Sequence, residues 1–184
     1  MYTLKNRVSA VFFYMLICLA WMSAFNWLTW IFTRKQPVAK FEFKDTNIFA
    51  KHPHTGEDVL DIRFDLQVDL TDIYDWNTYL LFAYLSVEYK NDRSGYNQVT
   101  FWDDIILRNE TFRHNVNLTN AKSEYLISDI YRQFKGKPLD VYFNWEHMPI
   151  VGVNYKDRVH AGTIYVPDEY NTNLQSKNRR RSRN

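Results

Sequence analysis

The stretch "DIRFDLQVDL", residues 61–70, alternates strictly between apolar and polar side chains. An apolar residue occupies every second position, and aspartate, arginine or glutamine stands between. Successive side chains of a β-strand point to opposite faces, so this period of two predicts a strand with one buried and one solvated face. The stretch therefore indicates a sheet that packs one face on a hydrophobic core.

The same alternation returns in "LDVYFNWEH", residues 139–147. It recurs more loosely in "VAKFEFK" (38–44), "QVTFW" (98–102) and "HAGTIYV" (160–166). Turn-prone clusters separate these runs, and the one helical candidate among them is a short piece around Thr119 to Tyr131. Short strands without regular helices between them favour an antiparallel sheet over a parallel one. We therefore predict an all-β fold, an antiparallel β-sandwich over residues 34–170.

Residues 8–33 form a block of 26 residues without a formal charge. A helix of that length spans roughly 39 Å, enough to cross the ~30 Å hydrocarbon core of a bilayer. Its apolar residues cover every face, unlike those of an amphipathic soluble helix. Bulky Trp21 and Met22 fill the region where signal-peptide cleavage needs small residues. We predict an uncleaved transmembrane signal-anchor α-helix, preceded by a short cytosolic N-terminus, residues 1–7.

The sequence gives conflicting indications of the orientation of this predicted span. Only Lys5 and Arg7 precede it, whereas more basic residues follow it, and by count alone this places the C-terminal domain in the cytosol. Long domains, however, translocate largely regardless of charge. Two glycosylation sequons, which begin at Asn109 and Asn117, favour a lumenal domain. We therefore predict a lumenal sandwich with Asn109 and Asn117 as candidate glycosylation sites.

The stretch "YDWNTYLLFAYLSVEY", residues 74–89, is rich in aromatics and nearly free of charge. Its uncharged part is too short for a second helical span. Apolar side chains occupy both faces of the predicted strand for most of its length. Such a strand is normally covered on both faces, either at the centre of a sandwich or against a partner.

Charge is nearly balanced over the chain and concentrated at its C-terminus. With 23 Lys and Arg against 21 Asp and Glu, the net charge is +2, so we expect no nucleic-acid partner. The basic side chains of residues 171–184 repel one another and have no apolar partner, which predicts a disordered tail. Docking on anionic lipid headgroups or on an acidic subunit is the functional alternative for this tail.

The sequence contains no recognisable constellation for chemistry. It has no G-x-S-x-G or S-x-x-K motif, and its single cysteine, Cys18, lies inside the predicted span. His52 and His54 lie close together but without a third ligand, so we expect them to be solvated. Asp103 and Asp104 are adjacent on a predicted strand, where neighbours point to opposite faces. We therefore expect no catalytic residue, no metal site and no cofactor.

A longer pattern runs through residues 72–108, "DIYDWNTYLLFAYLSVEYKNDRSGYNQVTFWDDIILR". Its marks are a "DWN" turn, an apolar-aromatic strand ending in "EY", then "NQV", a "WD" pair and an I-x-L-R run. With "NW" at 144–145 and "VPDEY" at 166–170, this pattern resembles the signal peptidase complex subunit 3 family. Its members are single-span lumenal subunits of the endoplasmic-reticulum (ER) enzyme that removes signal peptides. The resemblance covers most of the chain except the basic tail.

The resemblance implies a non-catalytic accessory subunit whose lumenal domain supports a separate serine protease subunit. Its implied partners are that protease, other small membrane subunits, ER membrane lipid and, transiently, signal-peptide substrates. Family members often carry a sequon just before the strand that begins near Leu139, where this chain has Lys137-Pro138. The sequons at Asn109 and Asn117 therefore rest on this sequence alone. The family signature and candidate interface residues are Asp75, Trp76, Asn77, Asn97, Trp102, Asp103 and Trp145.

Several alternatives stay open. Trp76 and Trp145 are either core residues or anchors of an interface, because both functions use a large, mostly apolar ring. The chain could also be a lumenal binding subunit of another ER translocon or glycosyl-transfer assembly. An enzyme of unrecognised type that uses His52 or His54 is the remaining alternative.

Overall fold

The computed structural model describes residues 3–33, 35–93 and 95–171, and the chain divides into two compact units. The first unit holds the helix α1, Leu4–Thr33, and the second begins at Pro37. The helix α1 is 30 residues long and apolar enough to cross a membrane. It begins four residues before the predicted span 8–33 and so includes part of the predicted N-terminal segment 1–7. The expected N-terminal apolar helix is confirmed.

The described part of the second unit is built from eight strands in two antiparallel sheets. The strands are β1 Ala39–Lys51, β2 Asp58–Asp69, β3 Thr78–Asn91, β4 Gly95–Leu107, β5 Asn115–Lys122, β6 Ile127–Asp129, β7 Pro138–Pro149 and β8 Tyr155–Tyr165. The first sheet has the order β1-β2-β5, with β6 also paired to β2, and the second has the order β4-β3-β7-β8. Two single 3-10 turns, Thr71–Ile73 and Thr111–Arg113, connect strands. The predicted all-β antiparallel sandwich is confirmed.

The strand β2 lies at the centre of the first sheet and buries every second side chain. Ile62, Phe64, Leu66 and Val68 are all fully buried, as the alternation predicts. Phe64 meets Phe101 of β4 edge to face, with ring centroids 5.4 Å apart. This contact joins the two sheets, because one ring belongs to each.

The second sheet contributes the other half of the core. Its strands β3 and β7 bury their inner side chains, namely Leu81, Ala83, Leu85, Val87, Leu139, Val141, Phe143 and Trp145. At the open edge, β8 approaches β1 closely. A Cβ atom at Gly162 would lie 3.1 Å from Phe41 Cδ1, so glycine permits this approach. Each sheet therefore buries one face against the other.

The alternation of β2 predicts that Asp61 lies on the solvated face of the strand, but the structure shows otherwise. The Asp61 side chain is fully buried. It accepts hydrogen bonds from the Asn47 amide at 2.7 Å and the Ser123 hydroxyl at 2.8 Å, and it pairs with the Lys122 ammonium at 3.2 Å. A buried carboxylate is stable when its oxygens are paired in this way. The expected solvation of Asp61 is wrong, because residues distant in sequence cover this part of the face.

The predicted helix around Thr119 to Tyr131 is also wrong. Its first part belongs to β5, where Ala121 pairs with Phe64 and Lys122 with Arg63 of β2. Asn120 then adopts a left-handed φ of 52°, which a right-handed helix cannot contain. The backbone amides of residues 124 and 125 donate to the Phe101 carbonyl instead of forming helical bonds. Pairing with the sheets thus overrides the local helical preference.

Of the predicted tail, residues 171–184, only the first residue is described. Asn171 forms an isolated antiparallel bridge with Phe49, and the neighbouring Tyr170 ring lies 4.9 Å from the Phe49 ring. The ordered sandwich therefore reaches at least Asn171, one residue beyond the predicted boundary. The rest of the predicted disordered tail lies outside the described residues.

The inter-sheet contact generates a stability prediction. Replacing Phe64 with alanine removes a fully buried ring and should lower the free energy of unfolding by about 3–5 kcal/mol. Phe112 is 80% exposed, so its replacement with alanine should cost less than about 0.5 kcal/mol. Chemical denaturation of both variants in detergent measures the difference. Equal destabilisation would contradict the assignment of Phe64 to the core.

Candidate interaction surfaces

The turn Asp75-Trp76-Asn77 connects the first 3-10 turn to β3, and its backbone is fixed by Asp75. The Asp75 carboxylate accepts a bond from the Asn77 amide N–H at 2.9 Å and one from the Thr78 hydroxyl at 2.8 Å. The Thr78 hydroxyl in turn accepts a bond from the Asp75 N–H at 3.0 Å. Aspartate stabilises turns by bonding to the backbone two residues on, so this "DWN" element is a locally determined turn.

Asn77 ties this turn to the loop between β7 and β8. Its side-chain amide donates to the Val151 carbonyl at 2.8 Å, and its side-chain oxygen accepts from the Val151 N–H at 3.0 Å. Its backbone carbonyl also accepts from the Ile150 N–H at 2.7 Å. The Arg108 guanidinium donates to the Trp76 carbonyl at 2.7 Å, which ties the end of β4 to the same turn. These bonds hold three connections at one end of the sandwich together.

A buried histidine contacts the Thr78 hydroxyl, which is bonded to this turn. His147 of β7 is 1% exposed, and its Nε2 lies 2.7 Å from the Thr78 hydroxyl. Because that hydroxyl already donates to Asp75, it can accept from a protonated Nε2. Burial lowers the pKa of His147, although the nearby Asp75 opposes this shift. The lowered pKa favours the neutral ring, and the tautomer with its proton on Nε2 is the one that can donate to Thr78.

The structure separates the two tryptophans for which both interpretations were open. Trp145 is 1% exposed and belongs to the core, where its ring stacks on Phe143 at 6.0 Å. Trp76 is 64% exposed, so the core interpretation does not hold for it. Trp102 is also buried and lies in the core. Of the three tryptophans, only Trp76 presents its ring at the surface of the isolated chain.

The remaining signature residues lie on or beside β4. Asn97 is half-buried in that strand. Asp103 pairs with Tyr84 and Asp104 with Ala83, so the two carboxylates fall on opposite faces as predicted. Asp104 is held by the Arg113 guanidinium at 2.5 and 2.7 Å, whereas Asp103 accepts a hydrogen bond from the Tyr125 hydroxyl. These aspartates form separate structural contacts.

The outer face of the second sheet carries a polar network that is buried despite its outward position. The Glu88 side chain is 2% exposed and is bound by the Arg158 guanidinium and by the Tyr96 hydroxyl. The hydrogen bond that the Tyr96 hydroxyl donates to Glu88 is the main reason why the pKa of Tyr96 is raised. Arg158 also covers the Tyr142 ring, with 4.8 Å between the guanidinium carbon and the ring centroid. The network links β3, β4, β7 and β8.

A second group of bonds continues this network along the sheet. The fully buried Ser86 hydroxyl accepts from the Gln98 amide at 3.0 Å and from the Asn144 amide at 2.8 Å. Farther along, the half-buried Phe82 and Tyr84 rings stack at 5.3 Å and line a cavity of about 240 Å³. We call this face the platform; it comprises Phe82, Tyr84, Ser86, Glu88, Tyr142, Asn144 and Arg158.

The outer face of the first sheet is different in character. There the Lys44 ammonium lies 2.9 Å from Glu42 and 3.1 Å from Asp65, in a surface group with substantial exposure. Arg63 and Gln67 on β2 are exposed. Such charged, solvated side chains are typical of a face in contact with water. The platform is therefore the more desolvated of the two outer faces.

The sequence predicts apolar residues on both faces of β3 but does not reveal the partners that complete the platform. Arg158 lies 70 residues from Glu88, and Asn144 lies 58 residues from Ser86. The apolar residues of "PIVGV", residues 149–153, are a sequence signal for the exposed loop between β7 and β8.

The predicted glycosylation sites are both exposed. Asn109 lies in the turn after β4, where it lines a cavity of about 460 Å³ with Tyr79, Arg108 and Ile150. Asn117 lies on the edge strand β5, opposite Gln67. Exposure is compatible with modification of either residue, and the use of these sequons stays a prediction.

The histidines singled out from the sequence lie in the turn between β1 and β2. The His52 and His54 rings are 6.0 Å apart, and His52 Nδ1 lies 3.1 Å from the Thr55 hydroxyl. Within residues 3–33, 35–93 and 95–171, no group of three or more His, Cys, Asp or Glu side chains is arranged to hold a metal ion. Cys18 is exposed on α1.

The environment of His147 generates a pH prediction. Its pKa is lowered in the folded state, so below about pH 6.5 the unfolded chain binds a proton that the folded chain does not. The melting temperature should therefore fall as the pH drops from 7.5 to 5.5. His147→Gln keeps a donor for Thr78 but does not titrate, and its melting temperature should fall less. Identical pH slopes for the two proteins would show that His147 contributes nothing.

Comparison with known proteins agrees with the pattern of the signature residues. Residues 1–169 match the model of a family described as Signal peptidase subunit. Three relatives are each named "Signal peptidase complex subunit 3". The protein of Yarrowia lipolytica is 32% identical over 121 residues, and the alignment covers 64% of each chain.

The protein of Saccharomyces cerevisiae is 33% identical over 128 residues, which cover 68% of each chain. The human protein is 30% identical over 159 residues, which cover 83% of this chain and 87% of the relative. The chain thus spans just under two thirds of the length of the Yarrowia relative and most of the human one. An N-terminal apolar helix together with these relatives fits a single-pass protein of the ER membrane. The chain belongs to the signal peptidase subunit family.

Proposed function

We propose that this chain is a non-catalytic accessory subunit of the signal peptidase complex. It supports the serine protease subunit that removes signal peptides from nascent secretory and membrane proteins at the ER. The observation that carries the proposal is the platform: a largely desolvated, aromatic and arginine-bearing face on a chain of this family. Tyrosine, phenylalanine and arginine are enriched at the centres of protein interfaces, so a protein partner is the occupant that the platform suits.

The contribution of the subunit is geometric. The Glu88, Tyr96 and Arg158 network and the Ser86, Gln98 and Asn144 bonds cross-link four strands, so the platform is a rigid surface. A rigid surface against the protease can hold its reacting groups in position and close to the membrane, where a signal peptide emerges. Fixed geometry of this kind can raise a rate without any added chemical group.

The proposed topology is type II, with the N-terminus in the cytosol and the sandwich in the ER lumen. The domain that follows α1 is long, so its translocation does not depend on the flanking basic residues. The exposure of Asn109 and Asn117 is compatible with a lumenal environment in which sequons are modified. In this topology the platform and the proteolytic site lie on the same side of the membrane.

The partners follow from this assignment. The principal one is the serine protease subunit, bound through the platform. Other small membrane subunits of the complex and ER lipids surround α1, whose outward apolar side chains suit that environment. Signal-peptide substrates contact the assembly transiently. No nucleic acid is expected, in keeping with a net charge of +2.

The platform predicts a loss of binding without a loss of folding. A double variant, Phe82→Ser with Tyr84→Ser, removes two stacked, half-buried rings from the outer face while leaving the core and the polar network intact. Hot-spot aromatics typically contribute about 2 kcal/mol or more each, so recovery of the serine protease with the tagged double variant should fall at least tenfold. Co-purification from cells, followed by quantitative subunit identification, measures this recovery.

Tyr165→Ser is the matched control, since this exposed tyrosine lies in β8 but outside the platform. It should recover the protease as well as the unmodified chain does. A folded double variant that still recovers the protease fully would exclude the platform as the interface. Recovery of a different ER assembly, without the protease, would contradict the proposed function itself.

A further inference from the structure

One end of the sandwich exposes a group of large apolar side chains that the platform does not use. The residues of this apolar rim are Trp76, Tyr79, Phe112, Ile150, Val151 and Val153, and each is between 58% and 86% exposed. Tyr79 is the second residue of β3, and the others come from three connections: the turn before β3, the segment between β4 and β5, and the loop between β7 and β8. Soluble surfaces rarely gather such residues, so the rim marks a contact with something apolar.

The rim lies at the end of the sandwich where the chain enters it from α1. The first residue of β1, Ala39, pairs with Val68 near the end of β2. The turn with Trp76 lies in the connection from β2 to β3, after the first 3-10 turn, and Thr78 at the start of β3 pairs with Pro149 at the end of β7. The rim and the first residue of β1 therefore share one end of the sandwich.

The strand β8 extends beyond the start of β1 at this end. Phe41, two residues after Ala39, touches β8 at Gly162, which lies seven residues after Tyr155. Both strands run away from this end, so at ~3.3 Å per residue β8 begins about five residues, or roughly 15 Å, farther out than β1. The exposed loop that precedes β8 therefore projects past the point where the chain enters the sandwich.

The covalent link limits how far this end can be from a membrane that α1 crosses. Five residues lie between Thr33, at the end of α1, and Ala39, so the link comprises six Cα-to-Cα steps. At ~3.5 Å per residue this link spans at most roughly 20 Å. The loop projects past Ala39 by a comparable length, so the link permits it to contact lipid headgroups.

Some backbone polar groups of the exposed loop are hydrogen-bonded within the protein, which lowers the cost of moving them out of water. Asn77 satisfies the N–H and the carbonyl of Val151 and the N–H of Ile150. Unpaired backbone groups are costly to remove from water, and these bonds reduce that cost at Ile150 and Val151. This part of the loop can therefore approach an apolar phase with those backbone groups paired.

We propose that the apolar rim docks in the interfacial layer of the bilayer that α1 crosses. Trp76 and Tyr79 are the amphipathic aromatic residues that favour the headgroup level, and Val151 and Val153 reach toward the acyl chains. The anchor already holds the domain at the membrane, so even weak partitioning of the rim suffices to orient the sandwich. This inference rests on the membrane anchorage of α1 but not on its orientation or on the identity of the complex.

The charges around the rim indicate which lipids are needed. Arg113 is paired with Asp104 and Glu110, and Arg108 donates to the Trp76 carbonyl. Arg108 and Arg113 are thus both engaged within the protein. Docking should therefore be driven by the apolar side chains, and vesicles of zwitterionic phosphatidylcholine should suffice.

The test uses the full-length chain in phosphatidylcholine vesicles. Cys18→Ala removes the native thiol, and a single environment-sensitive fluorophore is attached at Val153→Cys. His54→Cys, exposed in the turn between β1 and β2 at the opposite end, is the matched control. The Val153 probe should show blue-shifted emission and strong quenching by lipids that carry a nitroxide near the headgroup. The His54 probe should show neither.

Equal, water-like emission from both probes would overturn the proposal. A Val153 probe that becomes shielded only in the purified complex, and not in vesicles, would also overturn it, because the rim would then be a protein interface. Platform-dependent recovery of the protease can still succeed in either case, so failure here is distinct from failure of the proposed function.

Asn109 provides an independent check. It lines the cavity at the rim with Tyr79 and Ile150, so a bulky, polar glycan there would hold the rim away from lipid. Of the two candidate sequons, docking of the rim therefore leaves Asn117 as the one available for glycosylation, and mass spectrometry of the native protein should find Asn109 unmodified. A glycan on Asn109 in the native protein would contradict docking of the rim.

Discussion

The burial of alternate side chains on β2 is the constraint on which the rest of the sandwich depends. Its apolar side chains have to be covered along the whole strand, and the second sheet covers them through contacts such as Phe64 on Phe101. The inner side chains of β3 and β7 pack on this core. The alternation along each strand and the register between the two strands then determine which side chains lie together on the outer face. The platform is thus a consequence of how the core is closed. Its position on the molecule is as fixed as the core itself.

The two outer faces show how one architecture can separate solubility from binding. The first sheet presents partly exposed ion pairs, which contribute little to stability but keep that face in water. The second sheet instead places Glu88 and Ser86 out of water and satisfies both with partners on other strands. Buried polar groups that are fully bonded make a surface stiff. The proposed supporting role needs this stiffness, since it acts on a neighbouring protease through shape alone.

The parts of the fold that were predictable from sequence are those with a local cause. Period-two alternation predicted the strands around residues 61–70 and 139–147, and length with apolarity predicted the N-terminal helix. The failures have non-local causes. Asp61 is buried by Asn47 and Ser123, and the segment after Thr119 pairs with a sheet that no local propensity reveals. Trp76 and Trp145 could not be separated, because exposure depends on what packs against each ring. For the platform, the sequence indicated the apolar residues of β3 but not their polar partners, because Arg158 lies 70 residues from Glu88.

Site-specific photo-crosslinking in the native complex tests the central claim most directly. A photoreactive residue in place of Phe82 lies on the platform, and one in place of Gln67 lies on the solvated face of the first sheet. The account predicts that the Phe82 position crosslinks to the serine protease subunit and that the Gln67 position does not. Crosslinks to the protease from Gln67, with none from Phe82, would contradict it.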